Sequence, residues 1–261
     1  MSQTWKFGGT DLSTFGTITL LDDPMDLPDR RGSDITIPYQ HGSIHTDKYY
    51  DSRTIAFGIA IRDSTISGMQ TKFDNLRKLI APKAQQTLEY TLDDATIRTA
   101  QAVVNKKMNV VHETILLARV VVEFYLARPF FRLNTAIADN TTVINANPKA
   151  MTVTNPGSVE ECDPIIILTG PLANTVITNS TNGCVLTYAG TIASPRVVTI
   201  QTSAAGEYTA TDDLGTNVIG NIGHSGAPSL MVINPGANAL SIADDTHTTG
   251  TVKISFNAPF L

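Results

Sequence analysis

The sequence predicts a mainly β protein of two domains, and three observations carry that reading. The first is a long alternating run over residues 114–131. Leu116, Ala118, Val120, Val122, Phe124 and Leu126 share one face at period two, and Leu117, Arg119, Val121, Glu123 and Tyr125 share the other. Three consecutive valines followed by aromatics favour a strand, because β-branched side chains fit a pleated surface better than a helical one. The expected strand, residues 115–127, spans on the order of 40 Å at about 3.3 Å per residue. Pro129 ends it by removing a ladder donor and restricting Arg128.

The second observation is that a single segment has helical periodicity. Met69, Phe73, Leu76 and Ile80 recur at i, i+4, i+7 and i+11, and Leu79 widens the stripe, which predicts a helix over about 67–81. Ser64, Thr65 or Ser67 can cap its start and Pro82 stops it; Asp74 and Lys78 form a candidate surface pair.

The third is a change of composition. Residues 1–133 hold 16 Lys/Arg and 15 Asp/Glu, whereas residues 134–261 hold 3 and 9 and gather 20 Thr and 13 Asn. Two surfaces so different argue for two domains, 1–133 and 134–261.

In chain order, residues 1–16 read as a hairpin, with Trp5 and Phe7 alternating with Thr4 and Lys6 before a Gly8-Gly9 turn. A run at 17–21 leads into residues 21–50, which are rich in charge, Pro and Gly. They read as a loop or extended arm, too long and polar for a core connection. Within the arm Ile35, Ile37 and Tyr39 alternate with polar residues, and His41-Gly42 turns the chain. Residues 54–62 form a strand with Ile55, Phe57, Ile59 and Ile61 on one face. Residues 88–92 and 96–104 form a hairpin around Asp93-Asp94. The second half has no helical pattern. Short apolar runs at 151–153, 165–168, 185–188, 197–200, 230–233 and 252–256 suggest an antiparallel β-sandwich. Asn155-Pro156-Gly157 and Asn234-Pro235-Gly236 read as two turns of one type, each after a strand.

Candidates for chemistry are few. Residues 223–227 (G-H-S-G-A) fall one residue short of G-x-S-x-G and lack the helix a nucleophile elbow needs, so they read as a glycine-rich loop. His41 and His45 lack the glutamate and further ligands of a metal site, so no metal is expected. Asp93-Asp94, Asp212-Asp213 and Asp244-Asp245 read as turn residues, since adjacent carboxylates in a strand diverge. Asn140 and Asn179 begin glycosylation sequons that require secretion. No phosphate loop, dinucleotide fingerprint or C-x-x-C occurs, so neither an enzyme nor a cofactor is expected. Cys162 and Cys184 read as reduced core residues. The N-terminus lacks a signal-peptide core, no apolar run is long enough to span a membrane, and a net charge of −5 argues against nucleic-acid affinity. Sugar binding stays open as an alternative, with Tyr188 and Tyr208 as aromatic candidates in a half that has no Trp.

Several short motifs, taken in order, resemble one family. They are Trp5-Lys6-Phe7-Gly8-Gly9 with Gly16 after it, I-P-Y-Q-H-G at 37–42, an aromatic–Arg strand at 49–61, and D-N-L-R-K-L at 74–79. Arg128-Pro129-Phe130 forms a corner; V-T-N-P-G at 153–157, P-I-I-I-L-T-G at 164–170, I-N-P-G-A-N-A-L at 233–240 and V-K-I-S-F at 252–256 follow. This order is similar to that of the distal tail proteins (Dit) of long-tailed, siphovirus-type bacteriophages. The chain departs from the family at Arg128, where an acid is frequent.

The resemblance implies an N-terminal β-sandwich with a packed helix and an extended arm, and a C-terminal galectin-like antiparallel β-sandwich. It implies a structural hub of the tail tip or baseplate: a homo-hexameric ring that joins the tail tube protein to tip, hub and receptor-binding proteins and lets DNA pass. It places the protein at the virion tail tip after assembly in the host cytoplasm. Subunit-contact residues expected from the arm are Arg30, Arg31, His41, Tyr49 and Tyr50. The alternative is a carbohydrate-binding sandwich that contacts host-surface glycans.

Overall fold

A computed structural model describes residues 4–24, 26–37, 41, 43–46, 49–137, 140–203, 207–226, 230–246 and 248–261. Pro38, Tyr39 and Gly42 of the arm lie outside the described residues. The chain forms two compact units, one of residues 1–134 with Leu261 and one of residues 135–260.

The first unit holds β1 (Thr4–Phe7), β2 (Thr10–Asp11), β3 (Thr17–Leu20), β4 (Arg30–Arg31), β5 (Ile35–Thr36), β6 (Ser43–Ile44), β7 (Tyr49–Tyr50) and β8 (Arg53–Arg62). Helix α1 (Ile66–Ile80) follows, then β9 (Gln86–Thr91), β10 (Ile97–Ala102), β11 (Asn109–Thr114), β12 (Leu117–Leu126) and β13 (Phe131–Leu133). β2, β1, β9, β10 and β13 lie side by side in one antiparallel sheet; β11, β12, β8 and β3 form another. A bridge between Val103 and Tyr125, with N–H···O distances of 3.0 and 2.8 Å, joins the two at a corner.

Alternation builds the core between the sheets. Ile55, Phe57, Ile59 and Ile61 of β8 and Ala118, Val120, Val122, Phe124 and Leu126 of β12 are buried on one side, facing Trp5, Phe7, Leu88, Tyr90 and Phe131. Trp5 stacks on Tyr90 with ring centres 4.9 Å apart and meets Phe57 edge-on at 4.8 Å; Phe124 contacts Phe7 at 4.7 Å and Phe57 at 5.3 Å. Such offset and edge-to-face pairs suit the ring quadrupole.

β12 begins later than its pattern predicts. Ile115 and Leu116 form the tight turn of the β11–β12 hairpin, with the Leu116 N–H donating to Thr114 Oγ1 at 3.2 Å, so Leu116 lies outside the strand. In α1, Thr65 is the cap, accepting from the Gly68 N–H at 3.0 Å, and Met69, Phe73 and Leu76 are buried. Asp74 pairs with Arg77, one residue nearer than Lys78, at 3.2 Å.

The second unit is a sandwich of two five-stranded antiparallel sheets. One contains β14 (Asn140–Val143), β23 (Thr251–Ser255), β16 (Ile165–Thr169), β19 (Val197–Thr202) and β20 (Tyr208–Asp212). The other contains β15 (Lys149–Asn155), β22 (Gly236–Ala243), β17 (Leu172–Asn179), β18 (Cys184–Ile192) and β21 (Ile222–Ser225). Both sheets contribute to one apolar core.

Three expectations need correction. Residues 230–233 are no strand: Leu230, Met231, Val232 and Ile233 are buried in succession, and only Ile233 makes a bridge, to Glu161. Two of their carbonyls take side-chain amides, and Ile233 O also accepts from the Glu161 N–H at 2.9 Å. Asn179 and Asn182 each donate to Val232 O at 2.9 Å, and Asn155 donates to Ile233 O at 3.2 Å. Asn234-Pro235-Gly236 therefore follows an irregular run, and Gly236 lies opposite Asn155, which brings the two similar turns together. The supposed glycine-rich loop at 223–226 begins as β21, paired with β18 at the sheet edge.

The aspartate pairs are more than turn formers. Asp244 is buried and accepts from Ala173 N–H (2.9 Å), Thr175 Oγ1 (2.7 Å) and Thr246 N–H (2.9 Å), tying the turn after β22 to the irregular start of β17. Asp212 and Asp213 converge after all, because the chain turns between them and Arg196 takes both, through Nη2 at 2.9 Å and Nε at 2.5 Å. Asp212 Oδ1 also accepts from the Thr216 N–H (2.7 Å) and the Leu214 N–H (3.0 Å). These bonds, the Thr216 N–H foremost, hold its carboxyl below the usual 3.8.

A carboxyl depressed on folding stabilises the fold above its unfolded pKa, and that contribution is lost as pH falls through the folded value. Asp212→Asn is therefore expected to lower the urea midpoint at pH 7 by a small amount and to narrow the gap to the parent as pH drops below 3.8. Circular dichroism at pH 7 and pH 3 checks this; a gap of equal size at both would contradict it.

Candidate subunit-contact site

The candidate site is the arm, which leaves the β11–β12–β8–β3 sheet of the first unit after β3 and returns into β8. It is a narrow ribbon. Arg30 and Arg31 of β4 pair with Tyr50 and Tyr49 of β7, and Ile35 and Thr36 of β5 pair with Ile44 and Ser43 of β6. Between the two pairs, Asp34 Oδ1 meets His45 Nδ1 at 3.2 Å, and Thr46 Oγ1 donates to Ser33 O at 2.9 Å. A two-stranded ribbon alone is marginally stable in water. This one also leaves Leu27, Ile35 and Tyr49 more than half exposed, as is Leu21 at its root.

Its roots are firmly held. Leu21 N–H donates to Ala56 O at 3.0 Å, Ala56 N–H donates to Asp22 Oδ2 at 2.9 Å, and Asp51 N–H donates to Asp29 O at 2.7 Å. Arg30 lies over the Tyr50 ring, 5.1 Å from its centre, and Nη2 donates to Tyr50 Oη at 3.2 Å. Tyr50 in turn meets Phe130 edge-on at 5.5 Å. Arg53 is buried and donates to three carbonyls of the outgoing limb: Pro24 O at 3.0 Å, Asp23 O at 3.1 Å and Asp26 O at 3.3 Å. Burial lowers the pKa of Arg53; the neighbouring Asp26, Tyr90, Asp22 and Asp23 oppose that shift.

Of the residues expected here, Arg30, Arg31, Tyr49 and Tyr50 come together at the base of the ribbon. His41 stands apart from them at an exposed position. Arg53 and Phe130 were missed. For Arg53 the signal was available: period two places it on the face of Ile55, Phe57, Ile59 and Ile61, where a charge needs partners.

The aromatic candidates in the second unit do not form a sugar platform. Tyr188 is 5% exposed and packs in the core, so it offers no ring face. Tyr208, on edge strand β20, is partly exposed with its ring 6.5 Å from His224, and burial foremost raises its pKa. Among the described residues no cluster of His, Cys, Asp and Glu could hold a metal, and no helix is long and apolar enough to cross a membrane.

Residues 12–116 match the family described as phage tail protein RIFT-related domain. No curated protein matches the chain in sequence. Over the full length of both chains the fold is similar to the crystal structure of the Dit protein of phage SPP1, described as a paradigm of hub adsorption apparatus in phages infecting Gram-positive hosts. The TM-score is 0.71 and the identity 13%. A looser likeness, at a TM-score of 0.48 and 12% identity over both full chains, is to a chain of the phage P2 baseplate in its activated conformation. The matched residues all lie within the first unit. Over its whole length the chain has the fold of the SPP1 Dit protein.

Proposed function

We propose that this protein is a structural hub of a phage tail tip, closing with copies of itself into a hexameric ring. The ring joins the tail tube above to tip and receptor-binding proteins below, and DNA passes through it. The observation that carries this reading is the arm. A ribbon that exposes Leu27, Ile35 and Tyr49 and is clamped at its root is poorly accounted for in an isolated chain, and a neighbouring copy supplies the missing cover. Contacts of this head-to-tail kind close by rotation into rings. The match to a tail protein domain and the Dit fold support it. Location at the virion tail tip, after assembly in the host cytoplasm, follows from that role. The matched domain and the SPP1 Dit structure are named for parts of a phage tail and its adsorption apparatus.

The test is mass by light scattering with negative-stain images of the same peak. Six copies of a 28.0 kDa chain give about 168 kDa, and ring-shaped particles at that mass, or at twice it, are expected. A monomer that stays monomeric with tail tube protein added would sink the reading.

A further inference from the structure

We propose that Arg53 is the positioning residue of the arm, holding residues 21–37 in the direction needed for subunit contact before copies meet. This deepens the ring reading and rests on it. The geometry is specific to the arm's root. Arg53 opens β8, and its guanidinium reaches across to Asp23, Pro24 and Asp26, residues 27 to 30 positions earlier. All three acceptors are backbone carbonyls, so the guanidinium grips the path of the chain and not its side chains. Past the end of the β3 ladder a covered carbonyl no longer has a strand partner and needs a donor from elsewhere; Asp23 O also takes the Asp26 N–H at 3.1 Å. A planar fork with several donors meets three of them at once, which a lysine ammonium on a flexible stem does less well.

The rest of the root converges on the same few residues. Leu21 and Asp22 bond to Ala56, three positions along β8 from Arg53, and Asp29 accepts from Asp51, two positions before it. The outgoing and returning limbs are therefore fastened within one short stretch around Arg53, and the ribbon beyond is carried by it. Ordering the arm in advance removes an entropy cost from association, so a pre-set arm binds a neighbour more tightly than a loose one making the same contacts.

Hydrogen exchange read by mass spectrometry tests this, on the full chain and in an Arg31→Glu background so that ring contacts do not shield the arm. The masses of the parent and of Arg31→Glu are read first: a parent that forms no ring fails the ring reading, separately from the exchange result, and if Arg31→Glu still closes, the Arg30→Glu, Arg31→Glu chain is the background. Arg53→Met keeps the aliphatic stem and removes the donors; Arg53→Lys keeps the charge. Exchange in residues 26–37 and 49–52 is expected to rise about ten-fold or more in Arg53→Met and by less in Arg53→Lys, with residues 57–61 and 118–126 unchanged. In the otherwise native chain, Arg53→Met is expected to raise the concentration needed for ring closure about ten-fold. Unchanged arm exchange with an intact core would overturn the proposal. So would equal loss of protection in arm and core, or a loosened arm with ring closure as in the parent.

Discussion

A chain carrying Arg30→Glu and Arg31→Glu is expected to run as a 28.0 kDa monomer at concentrations where the parent closes into rings. Both side chains are exposed on the ribbon, so the exchange leaves the core of the first unit untouched. The arm root already carries Asp22, Asp23, Asp26 and Asp29. Replacing its two arginines with acids leaves an almost wholly acidic surface, and like charges brought together at an interface cost several kcal/mol. Arg30→Glu also removes the guanidinium that lies over Tyr50, which loosens the Tyr50–Phe130 contact. Arg31→Glu alone separates the two effects, because its charge changes while the Arg30–Tyr50–Phe130 stack remains. Loss of the ring in both variants identifies the arm as a contact surface. Loss in the double variant alone assigns the effect to the stack. Normal rings in the double variant would remove the arm from the account.

The second large effect is on stability. Phe124→Ala is expected to destabilise the first unit by about 3–5 kcal/mol, the usual range for emptying a buried phenylalanine site. Phe124 is fully buried between Phe7 and Phe57, with β12 paired along its length to β8, so the walls of the cavity cannot easily close. Trp5 provides a local readout. It is the single tryptophan of the chain and contacts Phe57, which Phe124 also touches. The urea transition seen by its fluorescence is expected to move sharply to lower concentration. Val111→Ala, at a position 63% exposed, serves as the control and is expected to shift it by less than about 0.5 kcal/mol. A Phe124→Ala shift no larger than that control would show that the ring cluster is not the stabilising core.

Some elements were legible in the sequence and others were not, for reasons found in particular residues. β8 and β12 were plain because each buries apolar side chains at every second position. β17 and β22 were hidden. Their inward positions include Thr175, Asn179 and Asn238, polar residues that break the apolar alternation yet are buried. Each is satisfied by a group distant in sequence: Thr175 by Asp244, Asn179 by Val232 O and by Asn238. Conversely, the four apolar residues at 230–233 read as a strand, but they fill the core from an irregular segment in which asparagines donate to the carbonyls of Val232 and Ile233. The same limit applied at the arm. Composition marked residues 21–50 as an extended polar segment, but the clamp at its root joins Arg53 to carbonyls, and carbonyls have no signature in a sequence.

The sequence by itself determined the mainly β class, the single amphipathic helix and the two long strands at the heart of the first unit. Those properties are local, set by the periodicity with which side chains meet a single apolar face. Only the tertiary structure decided which polar residues are buried, which carboxylates share a cation and which residue anchors the arm. Those depend on partners dozens of positions away, and a hydrogen bond of that range follows from how the sheets pack and not from the order of residues within any one strand.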